Sequence, residues 1–266
     1  MKQFTSNTHI SIATYLKQQR RHSAPLVGNS WLALLFSVLS LFALLFLASC
    51  VPSLAGQADE GHIVVQQPSR SRLTYVAIGA SDTFGLGTDD PASQNWAADL
   101  AEKLGNGVHF INLGIPGIHL HDALNVELPV ALDSHPDLVT VWLAVDDLAD
   151  SVPLTSYSHD LDLLISRLQA GAPHARIVIA NVPDLTLVPR FQGTDPQTLH
   201  AQIAAYNNAI ATIVKRHSVL LVDLYARWSE LANHPEYISN DGFHPNAVGY
   251  TRIAEIFYQV LQENKQ

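Results

Sequence analysis

One cysteine, Cys50, stands in the whole chain of 266 residues, so no intramolecular disulfide can form and an oxidising compartment adds nothing to the fold. Basic residues are scarce: 15 Lys and Arg face 24 Asp and Glu, a net charge of −9. That balance excludes a nucleic-acid partner, which demands a basic footprint against phosphate. Acids are absent from residues 1–50, and no charged residue of either sign lies between Arg21 and Asp59. Repeats and low-complexity tracts are also missing, which removes solenoid and fibrous architectures.

The charge-free gap contains a feature of its own. Residues 31–48 are almost wholly apolar, and Lys2, Lys17, Arg20 and Arg21 precede them. As a helix this run would span about 27 Å, close to the ~30 Å of a bilayer's hydrocarbon. A basic flank before an apolar run is the pattern of a signal peptide or signal anchor, oriented positive-inside. Cys50 closes the run in Leu47-Ala-Ser-Cys50, which resembles a bacterial lipobox, where the cysteine is acylated and becomes the mature N-terminus. The alternatives are an uncleaved anchor that ends in Cys and an ordinary buried thiol. The expected organisation is a leader over 1–50, a flexible Pro/Ser/Gly/Gln tether over 51–72, and one domain over 73–266, held outside the cytoplasmic membrane. Without the four leader cations, 11 basic residues face 24 acids, a net −13 that also argues against electrostatic adhesion to anionic lipid.

From residue 73 onward, continuous apolar β-type runs alternate with helical patterns. The runs at 73–78, 108–113, 138–143, 176–180 and 219–224 lack the alternation of a half-exposed strand and read as parallel strands covered on both faces. Helical stretches fall near 91–104, 121–132, 157–170, 196–216 and 246–263, with Asp90-Pro91 and Gly105 as the expected caps of the first. The alternation predicts a three-layer α/β/α sandwich on a mostly parallel five-stranded sheet.

Ligands of such sheets bind beyond the carboxyl ends of the strands. There Ser81 follows the first run within the glycine-punctuated Gly79-Ala-Ser81-Asp-Thr-Phe-Gly85-Leu-Gly87. A serine hydroxyl becomes a nucleophile only with a base beside it and a third group orienting that base. Asp241-Gly-Phe-His244-Pro245 can supply both, because a tight turn puts a carboxylate and an imidazole three residues apart on one side. Ser81 is the candidate nucleophile, His244 the general base and Asp241 its orienter. The bland alternatives are a capping serine and a turn that starts a helix. His119 and His121 have no nearby third ligand, so no metal is expected. Phe84, Leu86 and Trp142 could line an acyl pocket or sit in the core. His159, Asp160 and Asp162 read as a solvated helix face.

These residues resemble the SGNH (GDSL-type) hydrolases, whose four short blocks supply Ser, Gly, Asn and His. Gly79-Ala-Ser81 matches the first, with Ala80 at the usual Asp; Asn112-Leu-Gly114-Ile-Pro-Gly117 matches the second. The third block, ordinarily Gly-x-Asn-Asp, reads Ala144-Val-Asp146-Asp147, and the fourth, Asp241-x-x-His244-Pro245, is intact. The G-x-S-x-G elbow of the α/β-hydrolases is absent around Ser81. The resemblance implies a serine ester hydrolase that needs no cofactor. Its oxyanion hole would come from the backbone N–H groups of Ser81 and Gly114 and the side chain at 146, with Asp147 structural. The substrate would be a small-molecule, glycan or lipid ester. Asp146 is the anomaly, since an ionised carboxylate cannot donate where an amide would. A catalytically weakened glycan- or lipid-binding module of the same fold is the alternative.

Overall fold

The computed structural model describes residues 73–265. The leader, the tether and Cys50 lie outside the described residues. Among the described residues, no helix is long and apolar enough to cross a membrane.

Five strands form one sheet: β1 (Leu73–Gly79), β2 (Val108–Asn112), β3 (Leu138–Trp142), β4 (Arg176–Ala180) and β5 (Leu220–Val222). Their order is β2-β1-β3-β4-β5 and every pairing is parallel. The helices are α1 (Ser81–Phe84), α2 (Trp96–Leu104), α3 (Leu120–Asp133), α4 (Ala144–Ala149), α5 (Leu154–Gly171), α6 (Pro196–His217), α7 (Leu224–Arg227) and α8 (Ala247–Glu263). α2 and α8 pack together on one side of the sheet, while α3, α5 and α6 form a second packed row. The three-layer parallel architecture expected from the apolar runs is present.

Burial explains the run pattern. β3 is buried along its whole length and β1 from Tyr75 to Gly79, because helices cover both faces of these central strands. The edge strands β2 and β5 are only partly covered. Under α2 and α8, Trp96 stacks on Phe257 at 4.2 Å and meets Trp142 edge-on at 6.1 Å. The paired rings bury large apolar areas and fix the position of β3's carboxyl end.

Three expectations change in detail. The first helix begins at Trp96, not at Pro91, because Asn95 takes the cap: its side chain accepts from the Ala98 N–H at 2.8 Å and donates to the Pro91 carbonyl at 2.8 Å. Asp90 instead closes a separate turn with Ser93 and Gln94. β5 is shorter than its apolar run because Asp223 leaves the strand to cap α7 and to accept from Asn181 at 2.8 Å. The six-residue α4 was not foreseen, and it carries the third block.

Candidate active site

Four of the five carboxyl ends converge on the site by way of their following loops. β1 ends at Gly79, where a Cβ would lie 2.0 Å from Thr83 Oγ1 and 2.9 Å from the Trp142 carbonyl oxygen, so only glycine lets the chain turn there. Ser81 opens the short α1 turn and Gly85 closes it with φ 103°. No described residue accepts from the Ser81 N–H.

The loop before α8 brings the base. Ser81 Oγ lies 3.0 Å from His244 Nε2, and His244 Nδ1 lies 2.6 Å from Asp241 Oδ2. Asp241 Oδ1 accepts from the backbone N–H groups of Phe243 (2.8 Å) and His244 (2.9 Å), a tight turn that Gly242 permits with φ 71°. Partial burial pushes the Asp241 carboxyl up, but the hydrogen bonds from His244, Phe243, His244 N–H and Ser239 outweigh it and hold the pKa at about 2. The three residues that the spacing singled out are therefore one hydrogen-bonded chain.

Gly114 is pressed against the nucleophile turn: a Cβ there would sit 2.4 Å from the Phe84 nitrogen. Its N–H, however, donates to Asn112 Oδ1 at 2.9 Å, while Asn112 Nδ2 donates to the Thr83 carbonyl at 2.7 Å. Asn112 thus clips the glycine loop to α1 and occupies the donor assigned to the oxyanion. Sequence reasoning quoted Asn112 within its block but gave it no part.

Asp146 lies in the first turn of α4. Its Oδ2 is buried and has no partner. Burial drives its pKa up and Asp150 adds to the rise, while His244, His119 and Arg190 oppose it. Asp147 is fully buried and accepts from the Leu120 N–H at 3.0 Å, capping α3; burial raises it to about 6 against that hydrogen bond. Two further carboxyls escaped sequence reasoning. Asp82, beside the nucleophile and 3.4 Å from the Tyr250 hydroxyl, is raised to about 7 by burial, opposed by the nearby His244. Glu127 of α3 accepts from the Gly79 N–H at 3.2 Å with its other oxygen unpartnered, and burial raises it to about 8.

The remaining candidates disperse. His119 pairs with Asp150 at 2.9 Å and His121 with Asp160 at 3.1 Å, so the two histidines serve different carboxylates. Among the described residues, no group of three His, Cys, Asp or Glu is placed to hold a metal. Phe84 is exposed beside Ser81, Leu86 accepts from the Tyr250 hydroxyl through its carbonyl, and Trp142 belongs to the core. Asp162 faces solvent and binds Arg216 and His217.

Comparison with known proteins bears on the family and the fold. The chain is 24% identical over 208 residues to an arylesterase of Vibrio mimicus, covering 72% of this chain and 90% of that protein. It is 23% identical over 228 residues to an acetylxylan esterase of Xylanibacter ruminicola, covering 74% of this chain but 45% of the relative. A solved structure of TesA superposes with a TM-score of 0.59 at 21% identity, over 71% of this chain and 98% of that one, a likeness of fold. The profile of the GDSL-like lipase/acylhydrolase family matches residues 77–252, from inside β1 into α8, and the chain belongs to that family.

Proposed function

We propose that this protein is a serine hydrolase of carboxylic esters working through Ser81, His244 and Asp241. The observation that carries the reading is the unbroken chain from Ser81 Oγ to His244 (3.0 Å) to Asp241 (2.6 Å). His244 Nε2 takes the hydroxyl proton as Ser81 Oγ bonds to the ester carbonyl carbon. Asp241 holds Nδ1 protonated and stabilises the imidazolium that forms. His244 returns the proton to the leaving alcohol oxygen, and water then cleaves the acyl-enzyme by the same route. No step calls for a cofactor.

The oxyanion finds one donor in the Ser81 N–H. Asp146 supplies a second as its acid, the form that burial favours. The Gly114 N–H joins them when it leaves Asn112. The relatives named for aryl and acetylxylan esters support a short acyl group on an alcohol of varied size. Fluorophosphonate labelling followed by peptide mapping tests the reading without assuming a substrate: Ser81 should carry the label, and an unlabelled Ser81 in folded protein removes it.

A weakened, glycan- or lipid-binding member of the family is the second reading, and the unpartnered Asp146 together with the engaged Gly114 N–H speaks for it. A burst of alcohol release from an activated short-chain ester decides between the two. The chain's placement is part of the proposal: a lipid on Cys50, or an uncleaved leader, tethers the domain at the outer face of the cytoplasmic membrane. Stable attachment through Cys50 calls for more than one acyl chain. Cys50→Ser should block lipid labelling and leave a larger precursor, and an intact 1–50 segment on mature protein would favour the uncleaved anchor.

A further inference from the structure

The 3₁₀ turn Pro189–Phe191 braces the catalytic loop. The Arg190 N–H donates to the Gly242 carbonyl at 2.8 Å, and the Phe191 ring meets the Phe243 ring edge-on at 5.9 Å. The Arg190 side chain is exposed, with its guanidinium carbon 5.1 Å from the centroid of the Phe243 ring, and that ring is 4.6 Å from the His244 ring. Among the described residues, Lys103, Arg216, Arg227 and Arg252 are ion-paired to carboxylates, whereas Arg190, like Arg167, Arg176, Lys215 and Lys265, has no such partner, and of these five it is the one beside the catalytic loop. The guanidinium over the ring is a cation–π contact, and a guanidinium carries a rigid fork of N–H groups matched to the two oxygens of a carboxylate. His244 Nε2 must reach the leaving oxygen to protonate it, and the Phe243 ring beside that imidazole carries the Arg190 cation.

We propose that Arg190 anchors a carboxylate carried on the leaving-alcohol side of the substrate, making this enzyme selective for esters of hydroxy acids. The proposal rests on the triad reading above for its orientation. Asp146 is near enough for the Arg190 charge to oppose the rise of its pKa.

Two activated esters that differ only in charge test it, 3-acetoxybenzoate and the neutral 3-acetoxybenzamide. The wild type should favour the carboxylate in kcat/KM by about tenfold, the scale of a hydrogen bond to a charged group. Arg190→Gln should bring the ratio close to one, and Arg190→Lys, with charge but no fork, should recover only part of it. A structural role alone would slow both esters equally, and an unchanged ratio in Arg190→Gln overturns the proposal. Calorimetry with 3-acetamidobenzoate, an uncleaved amide analogue, reads the same contact in Ser81→Ala protein. Binding there should weaken about tenfold on adding Arg190→Gln; equal affinity overturns the anchor. If neither ester is turned over yet this binding depends on Arg190, the hydrolase reading fails and the anchor stands.

Discussion

Asp241 and Asp146 are both aspartates that feel His244, and their surroundings move their pKa values in opposite directions. Asp241 takes hydrogen bonds on both oxygens from its own loop and from the imidazole, and it titrates near 2. Asp146 feels the same histidine but has one oxygen buried and unpartnered, and its pKa rises. Hydrogen bonds to the charged form win at one site and desolvation wins at the other. The residue name therefore says little about the charge; the count of donors around it decides.

The sharpest break of that comparison removes the chain that Asp241 serves. Ser81→Ala and His244→Ala should each lower kcat by about 10⁴ or more with the fold intact, and the double variant should be little worse, because the residues act as a unit. Near wild-type turnover by folded Ser81→Ala protein ends the assignment. Asp241→Asn keeps the shape but loses the charge and the tautomer control, and steady-state kinetics should show a loss on the order of 10³ to 10⁴.

Asp146→Asn probes the other carboxyl. The acid form donates below the raised pKa and is lost as pH climbs through it, so wild-type kcat should fall on the alkaline side. The amide donates at every pH. The variant should flatten that limb and gain up to about 10² to 10³ at its alkaline end, the scale of one oxyanion donor, with little change at the acid end. A lower kcat at all pH values would give Asp146 another role, such as substrate contact.

The smallest effect concerns Glu127, a second carboxyl raised by burial, from 4.5 to about 8. Its acid form is favoured in the folded state, so its contribution to stability is full below pH 4.5 and declines as pH rises toward 8. Glu127→Gln keeps an acceptor for the Gly79 N–H and cannot ionise. Its Tm should overtake the wild type's near pH 8 by a few degrees, and parallel Tm profiles for the two proteins would refute the assignment.

The strands were legible because a central strand covered on both faces is mostly apolar, a buried polar side chain such as Thr140 needing a partner in the Tyr75 hydroxyl: 176–180 matches β4 residue for residue, and β1 and β3 lie within a residue of their runs. Ser81, Asp241 and His244 were legible because turn geometry holds them within short segments. Asn95 displaced Asp90 as a cap because its amide was buried where two backbone groups needed partners, a matter of packing that no local pattern records. Arg190 and Glu127 had no signal of their own, since each acts on a segment at least 48 residues away, and the bond from Asn112 to Thr83 spans 29 residues although Asn112 also holds Gly114 locally.

The sequence by itself determined the layered parallel sheet and singled out Ser81, Asp241 and His244, because apolar periodicity and short-range turn chemistry are written in neighbouring residues. Only the tertiary structure decided the electrical state of the site. Protonation depends on how many donors and how much water surround a carboxyl, and those come from β3, α4, the Pro189–Phe191 turn and the loop before α8, which the fold brings together from distant parts of the chain.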